Sequence, residues 1–162
     1  MDKRMSSCRE SRGTDREKIQ FRQTSFRVDY AETDAMGVVY YANYLIWFER
    51  GRSSFMREVE YPYTLIEKEG YLLPVAESHV RYRKSARYDD LIRVFTAIEC
   101  MERSSIRFVY EIRNSEDTLL AQGWTRHGFI SRDGRLSRIP DHIRMALCGP
   151  PSGRSASESG GE

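Results

Sequence analysis

The chain has 162 residues, 40% of them apolar and 12% aromatic, which is enough for one packed domain, too little for two ordinary ones, and too apolar for a disordered chain. Its formal charge of +2 divides unevenly: residues 1–22 hold seven Lys/Arg against four Asp/Glu, residues 148–162 hold one against two, and the segment between balances at eighteen against eighteen. A neutral middle excludes the clustered basic footprint that nucleic-acid binding requires.

Residues 1–22 (MDKRMSSCRESRGTDREKIQFR) carry no apolar periodicity and cannot bury enough surface to offset chain entropy, so they read as a disordered tail. Residues 148–162, rich in Gly, Pro and Ser, read the same way and leave a domain at 23–147. The first thirty residues hold no signal-peptide core, and no apolar run approaches the ~20 residues that a membrane span takes. Cys8, Cys100 and Cys148 make an odd count with no CxxC pair, which favours a reducing compartment over a disulfide framework or a zinc site. A cytoplasmic protein without a membrane span is expected.

In chain order, Ser25–Tyr30 suits a first strand, and Ala31–Val39, with Gly37, has the chemistry of a loop. From Tyr41 the apolar residues Tyr41, Tyr44, Leu45, Phe48 and Phe55 follow helical spacing, with Trp47, Gly51 and Met56 widening the stripe. The pattern predicts a helix of about 17 residues, apolar on most of its circumference, which other structure must cover. From Leu73 the period changes to two. Ile106, Phe108, Tyr110 and Ile112 alternate with Arg107, Glu111 and Arg113, and Val75–Arg83, Ile92–Cys100 and Leu119–Ile130 complete four long strands. Arg87–Asp90, Glu102–Ser104 and Asn114–Asp117 suit hairpins or tight turns between them. A short helix over Pro140–Leu147 closes the domain. One strand, one long helix and a meander of four antiparallel strands make an α+β order in which a five-stranded sheet can curl around the helix.

The segment Asp29-Tyr30-Ala31-Glu32-Thr33-Asp34-Ala35-Met36-Gly37-Val38-Val39-Tyr40-Tyr41-Ala42-Asn43-Tyr44 places a carboxylate, Asp34, in the loop just before that helix. Backbone N–H groups at a helix start can hold an oxyanion, and a nearby carboxylate can attack a carbonyl or deprotonate water. Gly37 lets the backbone approach closely.

The pattern T-D-x-x-G-V-V-Y-x-x-x-Y, followed by Phe48-Glu49-Arg50, resembles the signature of the 4-hydroxybenzoyl-CoA thioesterases and related bacterial acyl-CoA thioesterases of the hotdog superfamily. The likeness extends to Tyr82–Asp90 and to the strand opening Ser105-Ile-Arg-Phe. It implies a hotdog fold, a long central helix wrapped by a curled, mostly antiparallel five-stranded sheet, and hydrolysis of a small aromatic or short-to-medium acyl-CoA without metal or other cofactor. Asp34 is similar to the family's catalytic aspartate, and the Tyr41 N–H to the donor that polarises the thioester carbonyl; Tyr30 and Asn43 would line the site. Tyr41 matches the 4-hydroxybenzoyl branch, whereas the Tol-Pal-associated branch has histidine there. The resemblance also implies a homodimer or dimer of dimers with acyl-CoA lying between subunits.

Other readings stand beside these. A loop aspartate is often only a turn residue. Glu49, two turns into the helix, is costly there unless Arg50 or Arg52 pairs with it, yet some hotdog thioesterases carry a catalytic glutamate on this helix, which makes Glu49 the rival to Asp34. Arg83, Lys84 and Arg87 form either a solvated turn or a grip for CoA phosphates. His79, His127 and His142 share no metal-ligand spacing. A hotdog module that binds acyl-CoA or an acyl-carrier protein without turnover is the alternative to an enzyme.

Overall fold

A computed structural model describes residues 19–148; apart from 19–22 and 148, both expected tails lie outside the described residues. The architecture is α+β, built on a five-stranded antiparallel sheet. Its centre follows the period-two pattern: Ile106, Phe108, Tyr110 and Ile112 of Ser105–Arg113 (β5) are all buried. Leu91–Met101 (β4) and Leu119–Gly128 (β6) flank β5 on either side. Arg22–Arg27 (β1) pairs with β4, and Val75–Tyr82 (β3) pairs with β6. The order β1-β4-β5-β6-β3 leaves β1 and β3 as the two edges.

Two expectations change here. The first strand runs Arg22–Arg27 rather than Ser25–Tyr30, because Tyr30–Glu32 winds into a 3-10 turn. Sequence Asp29-x-x-Glu32 is the cause: the Glu32 carboxylate returns to accept the Asp29 N–H at 2.9 Å, the glutamate half of a capping box. The meander has three strands, not four, since β3 lies beside β6 and not beside β4. For Arg87–Asp90, of the two readings, hairpin or tight turn, the second holds. It is a turn, closed by the Arg87 N–H on Asp90 Oδ2 at 2.8 Å, within the crossover from one edge of the sheet toward the other.

The predicted helix begins two residues later than its apolar pattern, at Asn43–Glu58 (α1), and is 16 residues long. It lies on one face of the sheet, chiefly against β4 and β1. Tyr44, Trp47, Phe48, Gly51, Phe55 and Met56 are buried, and the Phe48 ring stacks on Tyr110 with centroids 4.2 Å apart. Leu45, Ile46 and Tyr41 are exposed instead. The apolar stripe is narrower than the composition suggested, and Leu45 and Ile46 mark a second face that the described residues leave uncovered. Gly51 sets the helix height, because a Cβ there would come within 2.4 Å of Thr96 Oγ1 and 2.7 Å of Val94 Cγ1.

Beyond the expected elements, Tyr63–Lys68 forms a short helix (α2), and Tyr71–Leu72 (β2) pairs with Ile130–Ser131 (β7). The last predicted strand is therefore split after Gly128. Asp141–Cys148 (α3) replaces the predicted Pro140–Leu147 with a one-residue shift. His142 of α3 meets Glu69 Oε2 at 2.7 Å, and Tyr61 donates to the other oxygen, which ties α3 to the end of α2. Among the described residues no helix is long and apolar enough to cross a membrane.

Candidate active site

Between the 3-10 turn and α1 the chain folds back on itself. Thr33 and Val39 form an antiparallel bridge. Within it the Asp34 N–H donates to the Val38 carbonyl at 2.8 Å, and the Gly37 N–H to the Asp34 carbonyl at 2.9 Å. Gly37 sits at φ +73°, in the left-handed region that an L side chain rarely adopts. The turn aims the Asp34 side chain so that Oδ1 accepts the Met36 N–H at 2.8 Å. Asp34 is thus a turn residue, as the plainer reading had it. That role uses one oxygen, and among the described residues nothing donates to Oδ2.

The loop is fastened to the helix start by polar contacts. The Glu32 carbonyl accepts the Tyr40 N–H at 2.9 Å and the Asn43 side-chain amide at 2.8 Å. The Tyr41 carbonyl accepts the Tyr82 hydroxyl at 2.9 Å, and the Tyr40 carbonyl accepts the Asn43 N–H at 2.9 Å. Among the described residues neither the Tyr41 nor the Ala42 N–H has an acceptor. Tyr44 supports the same region from below, its hydroxyl accepting the Ala86 N–H at 3.0 Å. Burial pushes the Tyr44 phenol above its ordinary range, and the Ala86 hydrogen bond opposes that only partly.

The sequence-predicted residues fall into three groups. Asp34, Gly37, Tyr41 and Asn43 belong to this one loop and helix start. Tyr30 lies beside it, largely exposed, in edge contact with Tyr88. Arg83, Lys84 and Arg87 are exposed on the crossover, where the Arg83 and Lys84 N–H groups both donate to the Leu120 carbonyl. Among the described residues none of the three side chains enters an ion pair. Glu49 is set apart: it is exposed, accepts Ser53 Oγ at 3.1 Å, and pairs with neither arginine. The expected burial cost does not arise, because Glu49 lies on the uncovered face of α1. Arg50 turns toward Glu32 and Arg52 toward the Tyr110 hydroxyl.

Sequence reasoning missed Glu32. Its side chain is 12% exposed, with Oε1 accepting the Trp47 indole N–H at 2.9 Å and Oε2 the Asp29 N–H at 2.9 Å. The Asp29-x-x-Glu32 spacing was the available signal.

The histidines stand apart from the loop. His79 stacks on Trp124, and His142 is held by Glu69. His127 is fully buried, with Nδ1 at 3.0 Å from the Leu73 carbonyl and Nε2 at 2.8 Å from Thr125 Oγ1. Thr125 continues to the Tyr110 hydroxyl at 2.7 Å. Burial, with the nearby Arg52 charge, lowers the His127 pKa to about 4. It is a neutral member of a core network.

A profile of the thioesterase-like superfamily matches residues 28–147, from the end of the first strand to the last helix. The chain belongs to that superfamily. It is 37% identical over 94 residues to the acyl-CoA thioester hydrolase YbgC of Escherichia coli, which covers 58% of this chain and 70% of YbgC. Identity to the 1,4-dihydroxy-2-naphthoyl-CoA hydrolase of Thermosynechococcus vestitus is 26% over 133 residues, 81% of this chain and 91% of that enzyme. The crystal structure of DHNA-CoA thioesterase from Staphylococcus aureus superposes with a TM-score of 0.69 at 34% identity, over 74% of this chain and 79% of that one. The superfamily match contains the whole Asp34 loop, α1 and every strand of the five-stranded sheet except β1.

Proposed function

We propose that this superfamily member hydrolyses an acyl-CoA thioester to the free acid and CoA, with a small aromatic or short-to-medium acyl group and Asp34 as the catalytic carboxylate. The observation that carries the reading is the pairing, in one loop, of a carboxylate oxygen without a donor and helix-start N–H groups without an acceptor among the described residues. Such groups suit the two needs of the reaction, a base or nucleophile and a donor for the developing oxyanion. The Tyr41 N–H would hold the thioester oxygen. Asp34 would take a proton from the attacking water, or add to the carbonyl and be released from the anhydride by water. In either course the C–S bond breaks, and the proton removed from water ends on the CoA thiol. Tyr30, Gly37 and Asn43 would shape the acyl end of the site, and Arg83, Lys84 and Arg87 would meet the CoA phosphates as charge-assisted donors.

The aromatic acyl preference draws support from relatives whose names specify dihydroxynaphthoyl-CoA and from the tyrosines around the loop. Tyr30, Met36, Tyr40, Tyr41, Leu45, Ile46, Tyr82 and Tyr88 are all exposed, a concentration that suits a partner surface. Strand β3 is an exposed edge, which invites pairing with another chain. Both features favour a two-fold dimer, alone or paired again, whose sheets curl around α1 as the central helix of a hotdog fold and whose partner completes the pocket. A cytoplasmic location fits a CoA-dependent substrate.

Thiol release from a panel of aromatic and straight-chain acyl-CoAs tests the activity. Turnover of at least one class is expected. Saturable binding of acyl-CoA or acyl-carrier protein without release would favour a non-catalytic module. Light scattering alongside the assay tests assembly, and a fully active monomer would exclude a shared site.

A further inference from the structure

Asp34 is attached to the domain mainly through its neighbours, and the residue that gathers those attachments is Glu32. Both carboxylate oxygens are occupied, Oε1 by the Trp47 indole N–H and Oε2 by the Asp29 N–H, each at 2.9 Å. Arg50 stands 3.9 Å from Oε1. The Glu32 carbonyl takes the Tyr40 N–H and the Asn43 side chain, and its own N–H donates to the Asp29 carbonyl at 3.0 Å. One residue therefore joins the start of the 3-10 turn, the far side of the loop and the first two turns of α1. Trp47 itself is fully buried, so the indole is a fixed anchor. With its acceptor capacity turned inward, this carboxylate is unsuited to proton transfer with substrate.

We propose that Glu32 is the positioning residue of the catalytic loop, holding Asp34 at a fixed distance from the helix start; the proposal rests on the reading of Asp34 as the catalytic carboxylate. Gln keeps the shape but offers an NH2 where two N–H donors converge, so one hydrogen bond must fail. A loop freed by about 1 Å loses on the order of 100-fold in rate without losing the substrate's binding surface. The effect belongs in kcat.

The test uses the full chain and its best acyl-CoA, with Glu32→Gln, Asp34→Asn, their combination, and Trp47→Phe, which removes the indole N–H from the other side. Indole resonances of the two tryptophans, assigned with Trp124→Phe, report the Glu32–Trp47 bond directly. Expected are a kcat lowered roughly 10- to 100-fold in Glu32→Gln with KM within about threefold, a moved Trp47 resonance, and no further loss when Glu32→Gln is added to Asp34→Asn. If Glu32→Gln does not fold, Trp47→Phe carries the test, with a kcat lowered about three- to tenfold at unchanged KM. A wild-type kcat in a folded Glu32→Gln whose Trp47 resonance has moved would overturn the proposal, as would a wild-type kcat in Trp47→Phe where that variant carries the test. An equal loss in the Asp34→Asn background would overturn it too, since Glu32 would then act independently of Asp34. If Asp34→Asn retains wild-type turnover, the reading of the site fails first and this inference with it.

Discussion

The Asp34 loop and the α1–sheet core are built by different forces. In the core, Trp47, Phe48, Phe108 and Ile112 are fully buried, and burial of apolar area supplies the stability. Around the loop Val39 and Tyr44 are buried but Tyr30, Met36, Tyr40 and Tyr41 are exposed, and hydrogen bonds of Glu32, Asn43 and Tyr82 hold much of its position. A region held by a few directed contacts can be altered chemically at small cost in stability. A close-packed region cannot. Catalysis and stability should therefore separate in this molecule, and substitutions that fail to separate them would break the comparison.

The largest loss of stability is expected on the core side, at Phe48→Ala, which removes a ring stacked on Tyr110 and should cost about 3–5 kcal/mol in denaturant titration. A cost under about 1 kcal/mol would mean that the helix is not packed as described. Acid comes next. His127 has a folded pKa of about 4 against an ordinary 6.5, so the unfolded chain takes the proton first. Its contribution is complete above about pH 6.5 and is lost as the pH falls toward 4, by on the order of 3 kcal/mol. Stability measured between pH 7 and 4.5 should show this decline in the wild type and a flatter course in His127→Asn; parallel curves would contradict it.

Gly51→Ala should cost about 1–3 kcal/mol, because its Cβ must displace Thr96 and Val94 or lift the helix. Melting that is unchanged would show that α1 can shift freely. The smallest effect is reserved for the surface: Arg126 and Glu77 form a 3.1 Å pair on the outer face, and Glu77→Ala should change stability by no more than about 1 kcal/mol.

The same division decided what the sequence could reveal. Alternation in Ile106–Arg113 and helical spacing in Tyr44–Met56 reflect burial, a local signal, and both elements formed close to their predicted limits. The position of β3 beside β6 was not legible, since an eight-residue polar connection fits a hairpin or a crossover equally well. Helical spacing predicts Tyr41 and Leu45 for the core, but periodicity records which side chains are apolar and not what covers them. The same pattern predicts burial for Glu49. At the site, the motif points to Asp34, Gly37 and the Tyr41 N–H as candidates, while the local signal for Glu32 is Asp29-x-x-Glu32, a capping pattern. Its partner Trp47 lies fifteen residues away, a contact that no local pattern announces.

The central claim is that the loop carboxylate, and not the one on the helix, does the chemistry. Purified Asp34→Asn and Glu49→Gln, assayed side by side for thiol release with their melting temperatures in hand, test it most directly. Asn can still accept the Met36 N–H, so Asp34→Asn should melt close to wild type while its turnover falls by about 100-fold or more. Glu49→Gln, whose side chain is exposed and, among the described residues, bonded only to Ser53, should stay within about threefold of wild type. An Asp34→Asn enzyme that remains within about threefold of wild type beside an inactive, folded Glu49→Gln would contradict the account.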